Sequence, residues 1–247
     1  MLAGVLMDEI KILLRKLHSI SAHKFTKVEL GPLISGLTFN IVTRMIAGKR
    51  YYGEDVVGIE EARQFRELVG EMFADGRATY PGDFLPIFKY FDRQGGTHTV
   101  AATIEWAMSN LLNHPGVLKK ARAEVDDFLC PKQLQDETDL SKLQYLQNIV
   151  SETFRLYPAT PLLVPHISSD NCTIGVDGYK LLTFGLGRRA CPGMGLANRI
   201  IGLTLGSLIQ CFEWERVDGK AIDMVEGSAD IAMPKLGPWK PNAKLVQ

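Results

Sequence analysis

The sequence carries no surplus of either charge: 28 Lys and Arg face 28 Asp and Glu, with 5 His. A nucleic-acid binder normally shows a basic patch or stripe, so nucleic acid is excluded as a partner. Cysteine is scarce. Cys130, Cys172, Cys191 and Cys211 are too few and too scattered for a disulfide scaffold, and no C-x-x-C pair offers a structural zinc site. Long apolar runs are missing as well: none approaches the ~18 residues of a membrane helix. The apolar start from Met1 to Met7 turns charged at Asp8-Glu9 before a signal-peptide core could form. The chain therefore reads as soluble or at most peripheral, with free thiols that suit a reducing compartment. Internal repeats and low-complexity segments are absent. With 46% hydrophobic and 23% charged residues, the composition excludes intrinsic disorder, and 247 residues suffice to bury a core.

What is present is mostly helical periodicity. Leu6, Ile10, Leu13, Leu14 and Leu17 recur at helical spacing, with Glu9, Lys11, Arg15 and Lys16 on the other face. A second stripe runs through Leu33, Leu37, Ile41 and Met45 and stops at Gly48, a good C-cap residue. Phe65 to Phe73 make a third, ended by Gly76. Thr103 to Leu112 is closed by Pro115, and Val117 to Leu129 follows. Leu140 to Tyr157 is closed by Pro158, and a last helix runs from after Pro192 to about Phe212. Strand signals are short: Leu162 to Val164, Cys172 to Ile174 and Leu181 to Phe184. Helices first and a few strands late predict a mainly α fold with a small β portion, not a βαβ sheet.

The segment with chemical content is Phe184-Gly185-Leu186-Gly187-Arg188-Arg189-Ala190-Cys191-Pro192-Gly193-Met194-Gly195, a glycine-rich loop leading into the last helix. Cys191 lies beside two arginines and just ahead of a helix N-terminus, both of which favour a thiolate over a thiol. The glycines let a flat ligand approach the backbone, and Pro192 suits a first helical turn. A thiolate with no second Cys or His nearby suits a single axial bond to an iron held mainly by something else, as in a haem. A buried structural cysteine is the alternative. Gly185-x-Gly187-x-x-Ala190 also fits a dinucleotide fingerprint, but neither a following parallel strand nor a carboxylate about 20 residues on supports it.

Phe184-x-x-Gly187-x-Arg189-x-Cys191-x-Gly193 resembles the haem-binding loop of the cytochromes P-450 at all its fixed positions. Glu152-x-x-Arg155, inside Ser151-Glu152-Thr153-Phe154-Arg155-Leu156-Tyr157-Pro158, resembles the buried ion pair that braces the family's haem-side core. Read bare, such a pair is a solvated helix contact worth a few tenths of a kcal/mol. Gly95-Gly96-Thr97-His98-Thr99 is similar to the oxygen-activation kink of the family's central helix, with Thr99 in the proton-delivering position and His98 where the family has an acid. Histidine can still relay a proton; a loop residue beside a glycine turn is the other reading of His98. His166 stands where the family often meets a haem propionate with a cation, and is equally read as a surface residue at a strand end. Wording such as Thr103-Ile104-Glu105-Trp106 and Asp83-Phe84-Leu85-Pro86 resembles plant microsomal P-450s that hydroxylate isoflavonoids and related specialised metabolites.

The resemblance implies a haem with Cys191 as axial thiolate and metal ligand, in a loop shaped by Phe184, Gly187, Arg189 and Gly193. Glu152 and Arg155 are then structural braces, and Thr99 with His98 delivers protons. It implies O2 as co-substrate, a small hydrophobic or phenolic substrate, and an NADPH-dependent cytochrome P-450 reductase as electron donor, docking on the cysteine side where Arg188 lies. The implied location is the cytosolic face of the endoplasmic reticulum, or the cytosol in the absence of an anchor. Residues 1–247 read as a single, partial domain. The family's anchor and first helices would precede Met1, its pocket-roofing helices would fall between Gln94 and Gly96, and the third member of the Glu-Arg network between Tyr179 and Leu182. Arg155 and Cys191 are only 36 positions apart, too few for that segment. The tail from Leu236 to Pro241 also departs from the family's ending. The pattern is that of a truncated, internally deleted or mis-spliced version. A missing third partner would cost a buried Glu152–Arg155 pair roughly 1–3 kcal/mol, and a missing roof would wet one haem face. The expectation is a retained haem ligand with impaired monooxygenase activity; a non-enzymatic, haem-binding or interaction-only remnant is the alternative, and a dehydrogenase the third reading.

Overall fold

In the computed structural model, residues 2–21, 25–53, 60, 62–64, 96–129, 137–161, 182–225 and 241–245 are described. The apolar stripes close on one another as a bundle. Helix α1 (Leu2–Ser21) turns Leu6, Ile10, Leu13 and Leu17 inward. Helix α2 (Leu30–Ala47) buries Leu30, Ile34, Leu37 and Ile41 against α1 and against α3 (Gly96–Asn113). By length and composition α2 could cross a membrane, but its apolar face is part of this core. It ends where the stripe predicts: Gly48 takes the left-handed conformation (φ 69°) and donates its N–H to the Arg44 carbonyl.

Helix α3 runs through the middle, with Ile104, Trp106 and Met108 fully buried. It begins at Gly96, so the predicted kink segment from Gly96 to Thr99 forms its first turn. His114 separates it from α4 (Pro115–Leu129), whose first residue is the proline predicted to close the preceding helix; a ring without an N–H is tolerated at that position. The predicted helix from Leu140 to Tyr157 is in fact two, α5 (Glu137–Lys142) and α6 (Gln144–Leu156), broken at the buried Leu143. The break is stabilised from elsewhere. Glu124 on α4 accepts the N–H of Tyr145 at 2.7 Å and that of Leu146 at 2.9 Å, so a carboxylate 21 residues upstream satisfies two orphan amides and faces the positive end of the α6 dipole.

The last helix, α7 (Met194–Cys211), starts and stops as expected and is buried on every side from Ile200 to Ile209. Half-buried Arg122 on α4 donates to the carbonyls of Gln210 at 3.3 Å and of Phe212, satisfying the acceptors at the α7 C-terminus. The chain then enters β2 (Phe212–Glu215), where buried Phe212 and Trp214 alternate with exposed Glu213 and Glu215. With β1 (Thr26–Lys27) and β3 (Asn242–Leu245), it forms an antiparallel sheet of order β1-β3-β2, pairing Thr26 with Ala243 and Trp214 also with Ala243. The fold class is therefore mainly α with a small β portion, as expected, but the strands are different ones. Leu182 to Phe184 form a turn and not a strand, because the Gly185 N–H turns back onto the Leu182 carbonyl at 2.9 Å. The expected strands at Leu162–Val164 and Cys172–Ile174, the helix from Phe65 to Phe73, and the two proposed joins (apart from Gly96 and Leu182 at their far edges) lie outside the described residues.

Polar side chains tie the helices at their ends. Buried Glu9 on α1 is gripped by Arg44 on α2 and by Arg50 beyond it, each at 2.9 Å. Buried Asn40 pairs with the backbone of Tyr51 and Tyr52, and Asn113 pairs with both backbone groups of Ile222. Removing the inter-helix cap should be felt by the whole domain: Glu124→Ala is expected to destabilise by about 1–2 kcal/mol, lowering the melting temperature by roughly 2–4 °C per kcal/mol. An unchanged melt, followed by circular dichroism, would show that water replaces the carboxylate at no loss.

Candidate functional site

The cysteine loop is closed by its own backbone. The Gly185 N–H bonds the Leu182 carbonyl, and a 3-10 turn over Gly187–Arg189 is closed by the Ala190 N–H on the Gly187 carbonyl at 3.1 Å. The Cys191 N–H then reaches back to the Phe184 carbonyl at 2.8 Å, drawing the two ends of the loop together. This path requires a left-handed backbone at Gly185 (φ 70°) and Gly187 (φ 69°). A side chain at either would meet its own backbone. The two glycines are needed for conformation, whatever they also allow a ligand to approach.

Cys191 emerges from this loop as an exposed free thiol. Gly193 lies beside it: a Cβ there would stand 3.7 Å from Cys191 Sγ. Pro192 falls in the turn ahead of α7 and Gly193 caps the helix, so the proline precedes the first helical turn instead of occupying it. The neighbouring apolar side chains Leu182, Leu186 and Met194 are exposed too, an uncommon state for three large hydrophobes within 13 residues. The alternative of a buried structural cysteine is overturned for Cys191. That description suits Cys211, half-buried at the end of α7, where burial pushes the thiol pKa up and the nearby Arg122 partly offsets it. Among the described residues no three His, Cys, Asp or Glu side chains gather around a common point, so the loop offers one soft donor and not a ligand cage.

The loop is moored to α6. The Phe184 ring meets the Phe154 ring edge-on, with centroids 5.1 Å apart and planes at 77°. The Thr183 hydroxyl lies 3.4 Å from the Phe154 carbonyl. One residue past α6, Tyr157 stacks flat on Trp106 of α3, at 4.4 Å and 2°. Neither Phe154 nor Thr183 was singled out in the sequence. The available signal was the inward position of Phe154 on the apolar face of α6, with Leu146 and Val150.

Glu152 and Arg155 form the expected pair, but at the surface. Arg155 Nε and Nη2 donate to the two carboxylate oxygens, each at 2.7 Å, while the side chains remain 50% and 58% exposed. The hydrogen bonds from Arg155 hold the Glu152 carboxyl below its ordinary range and raise the Arg155 pKa in turn. The expected burial is corrected: Val150, Thr153 and Phe154 take the inward face of α6, leaving positions 152 and 155 to solvent. The pair satisfies itself, and the burial cost anticipated for a lost third partner does not arise. Thr99 is half-buried in the first turn of α3, where its carbonyl accepts the Thr103 hydroxyl at 2.8 Å. His98 precedes it in the same turn. Arg189 contributes its backbone to the 3-10 turn, Arg188 is exposed, and His166 lies outside the described residues.

Comparison with known proteins bears on this loop directly. The profile of the family described as Cytochrome P450 matches residues 93–181 and again 174–238. The chain is 38% identical to "Cytochrome P450 81Q32" of Catharanthus roseus over 334 residues, covering 94% of this chain and 66% of that protein. It is 38% identical to an isoflavone 3'-hydroxylase of Medicago truncatula, covering 98% of this chain and 70% of that protein. An isoflavone 2'-hydroxylase of Glycyrrhiza echinata is 33% identical, with 98% and 69% covered. The chain thus spans about two thirds of the length of the relatives it matches. Because 94% of 247 residues is about 232, some 100 positions inside the 334-residue match have no counterpart here.

The left-handed turn makes one substitution diagnostic. Gly187→Ala, with open space around its Cβ but φ at 69°, is expected to destabilise by about 1–2 kcal/mol through backbone strain alone. Thermal melting reads this; wild-type stability would mean the loop relaxes to another path.

Proposed function

Since the chain belongs to the cytochrome P450 family, we propose that it is a haem-thiolate protein of the monooxygenase type, in which the Cys191 thiolate would hold the haem iron. The carrying observation is the exposed Cys191 thiol on a loop closed by its own backbone, with the exposed apolar residues Leu182, Leu186 and Met194 near it in sequence. These residues fit the group: a single soft donor suits an iron already held by a macrocycle, and Leu182, Leu186 and Met194 offer a surface that a porphyrin would cover. When bound, that group supplies activation of O2 and insertion of one oxygen atom into a substrate C–H bond, using two electrons. The chain's own contributions are narrower. The Phe184 carbonyl holds the Cys191 backbone, Gly187 and Arg189 shape the turn, and Gly193 caps α7 beside the sulfur. Thr99 holds and passes a proton at its hydroxyl, with His98 replacing the acid as relay partner. Glu152 and Arg155 brace α6 from the solvent side. His166, outside the described residues, is the candidate by family likeness to hold a haem propionate.

The names of the relatives favour a small, phenolic plant metabolite as substrate. O2 as co-substrate, an NADPH-dependent reductase as electron donor, and a place on the cytosolic face of the endoplasmic reticulum follow from the family. Segments of the family are missing at joins near 94–96 and 179–182. The family match supports this, since it begins at 93 and restarts at 174 after running to 181, as do the roughly 100 unmatched positions of the relatives. The missing roof leaves the oxygen side open to water, so turnover is impaired. The exposure of Leu182, Leu186 and Met194 also favours a second reading, a haem-binding remnant without catalysis.

The full chain, supplied with haem, reduced and exposed to CO, is expected to give the red-shifted Soret band of a thiolate-bound iron. Cys191→Ser should abolish that shift and Cys211→Ser should preserve it. A shift that survives Cys191→Ser overturns the assignment. Addition of a reductase and an isoflavone then separates the readings: slow product formation supports the impaired monooxygenase, and haem binding without product supports the remnant.

A further inference from the structure

The end of α6 and the cysteine loop meet where one helix residue, Phe154, contacts two consecutive loop residues, Thr183 and Phe184, a contact the family motif does not itself contain. Phe154 is among the last four residues of α6, so its carbonyl has no partner within the helix. Thr183 brings a hydroxyl to that carbonyl at 3.4 Å, a long hydrogen bond that caps α6 from outside. The next residue, Phe184, places its ring edge-on to that of Phe154, itself almost fully buried. Phe184 is also the residue whose carbonyl receives the Cys191 N–H at 2.8 Å. A displacement of Phe184 is therefore passed to the Cys191 backbone through one hydrogen bond.

We propose that Phe154 and Thr183 form a latch that positions the cysteine loop, setting the height of Cys191 above α6. They are positioning residues: they act on the thiol through Phe184. The inference rests on the reading of Cys191 as the iron ligand for its functional meaning, though the latch is visible in the geometry alone. The edge-on ring pair resists sliding of the loop along α6, and the hydroxyl cap fixes its register. Each contact is weak by itself. Together they hold a loop whose remaining described hydrogen bonds are internal or lead into α7.

The test uses two shape-conserving variants of the full chain, Thr183→Val and Phe154→Leu, with Phe212→Leu as control. Phe212 is as deeply buried but sits at the far end of α7. Hydrogen exchange at the Cys191 and Gly185 amides is measured together with the Soret position of the reduced, CO-exposed, haem-supplied protein. Each latch variant is expected to speed exchange at the Cys191 amide about fivefold, the loss of roughly one hydrogen bond's worth of protection. Exchange in α3 should be unchanged, and part of the red-shifted band should move to the unshifted position. Phe212→Leu should alter neither the loop amides relative to α3 nor the band. Loop exchange equal to wild type in both latch variants overturns the proposal. A red-shifted wild type with unresponsive loop amides sinks the latch and leaves the ligand assignment standing. Responsive amides without any red shift, even in wild type, support the latch and defeat the ligand assignment.

Discussion

The seating of α7 against α3 is the contact on which the rest of the chain depends. From Ile200 to Ile209 α7 has no solvent face, and α3 presents Ile104 and Met108 to the same core. A helix buried on all sides cannot rotate or slide without opening cavities, which cost several kcal/mol per large side chain. Its ends are pinned as well, by Arg122 at the C-terminus and by the first helical hydrogen bond, from Ala197 to the Gly193 carbonyl, at the N-terminus. The cysteine loop is the segment immediately ahead of this fixed rod. Cys191 thus inherits a position from the core, and the left-handed glycines only have to return the chain to α6.

This explains how a chain lacking some 100 positions of its relatives keeps a well-formed thiol loop. The elements that carry the loop, α3, α6 and α7, are all present and pack on one another. Leu182, Leu186 and Met194 are exposed beside the loop in sequence, while the core formed by these helices is closed.

Much of this was legible in the residues. The stripes of α1, α2 and α7 ran within a few residues of their limits, because a buried helical face leaves an unmistakable spacing. The cysteine motif stood out because its residues are close in sequence. What escaped depended on partners far apart in the chain. The break at Leu143 comes from Glu124 on another helix, and the latch joins residues 154 and 183 across a long connection. The strands β1 and β3 are too short to show alternation, and β2 abuts a buried helix. The Glu152–Arg155 pair was expected inside by family likeness. The apolar face of α6 runs through Leu146, Val150 and Phe154, and that face alone would have placed the pair outside.

The central claim is that this helical core is sufficient to present Cys191 as an iron ligand. Iron-edge X-ray absorption on the full chain loaded with haem addresses it most directly, because it reads the atoms bonded to the metal. A sulfur neighbour at the iron in the wild-type protein, replaced by oxygen or nitrogen in Cys191→Ser, is the predicted result. Iron surrounded only by nitrogen and oxygen in the wild-type chain would contradict it.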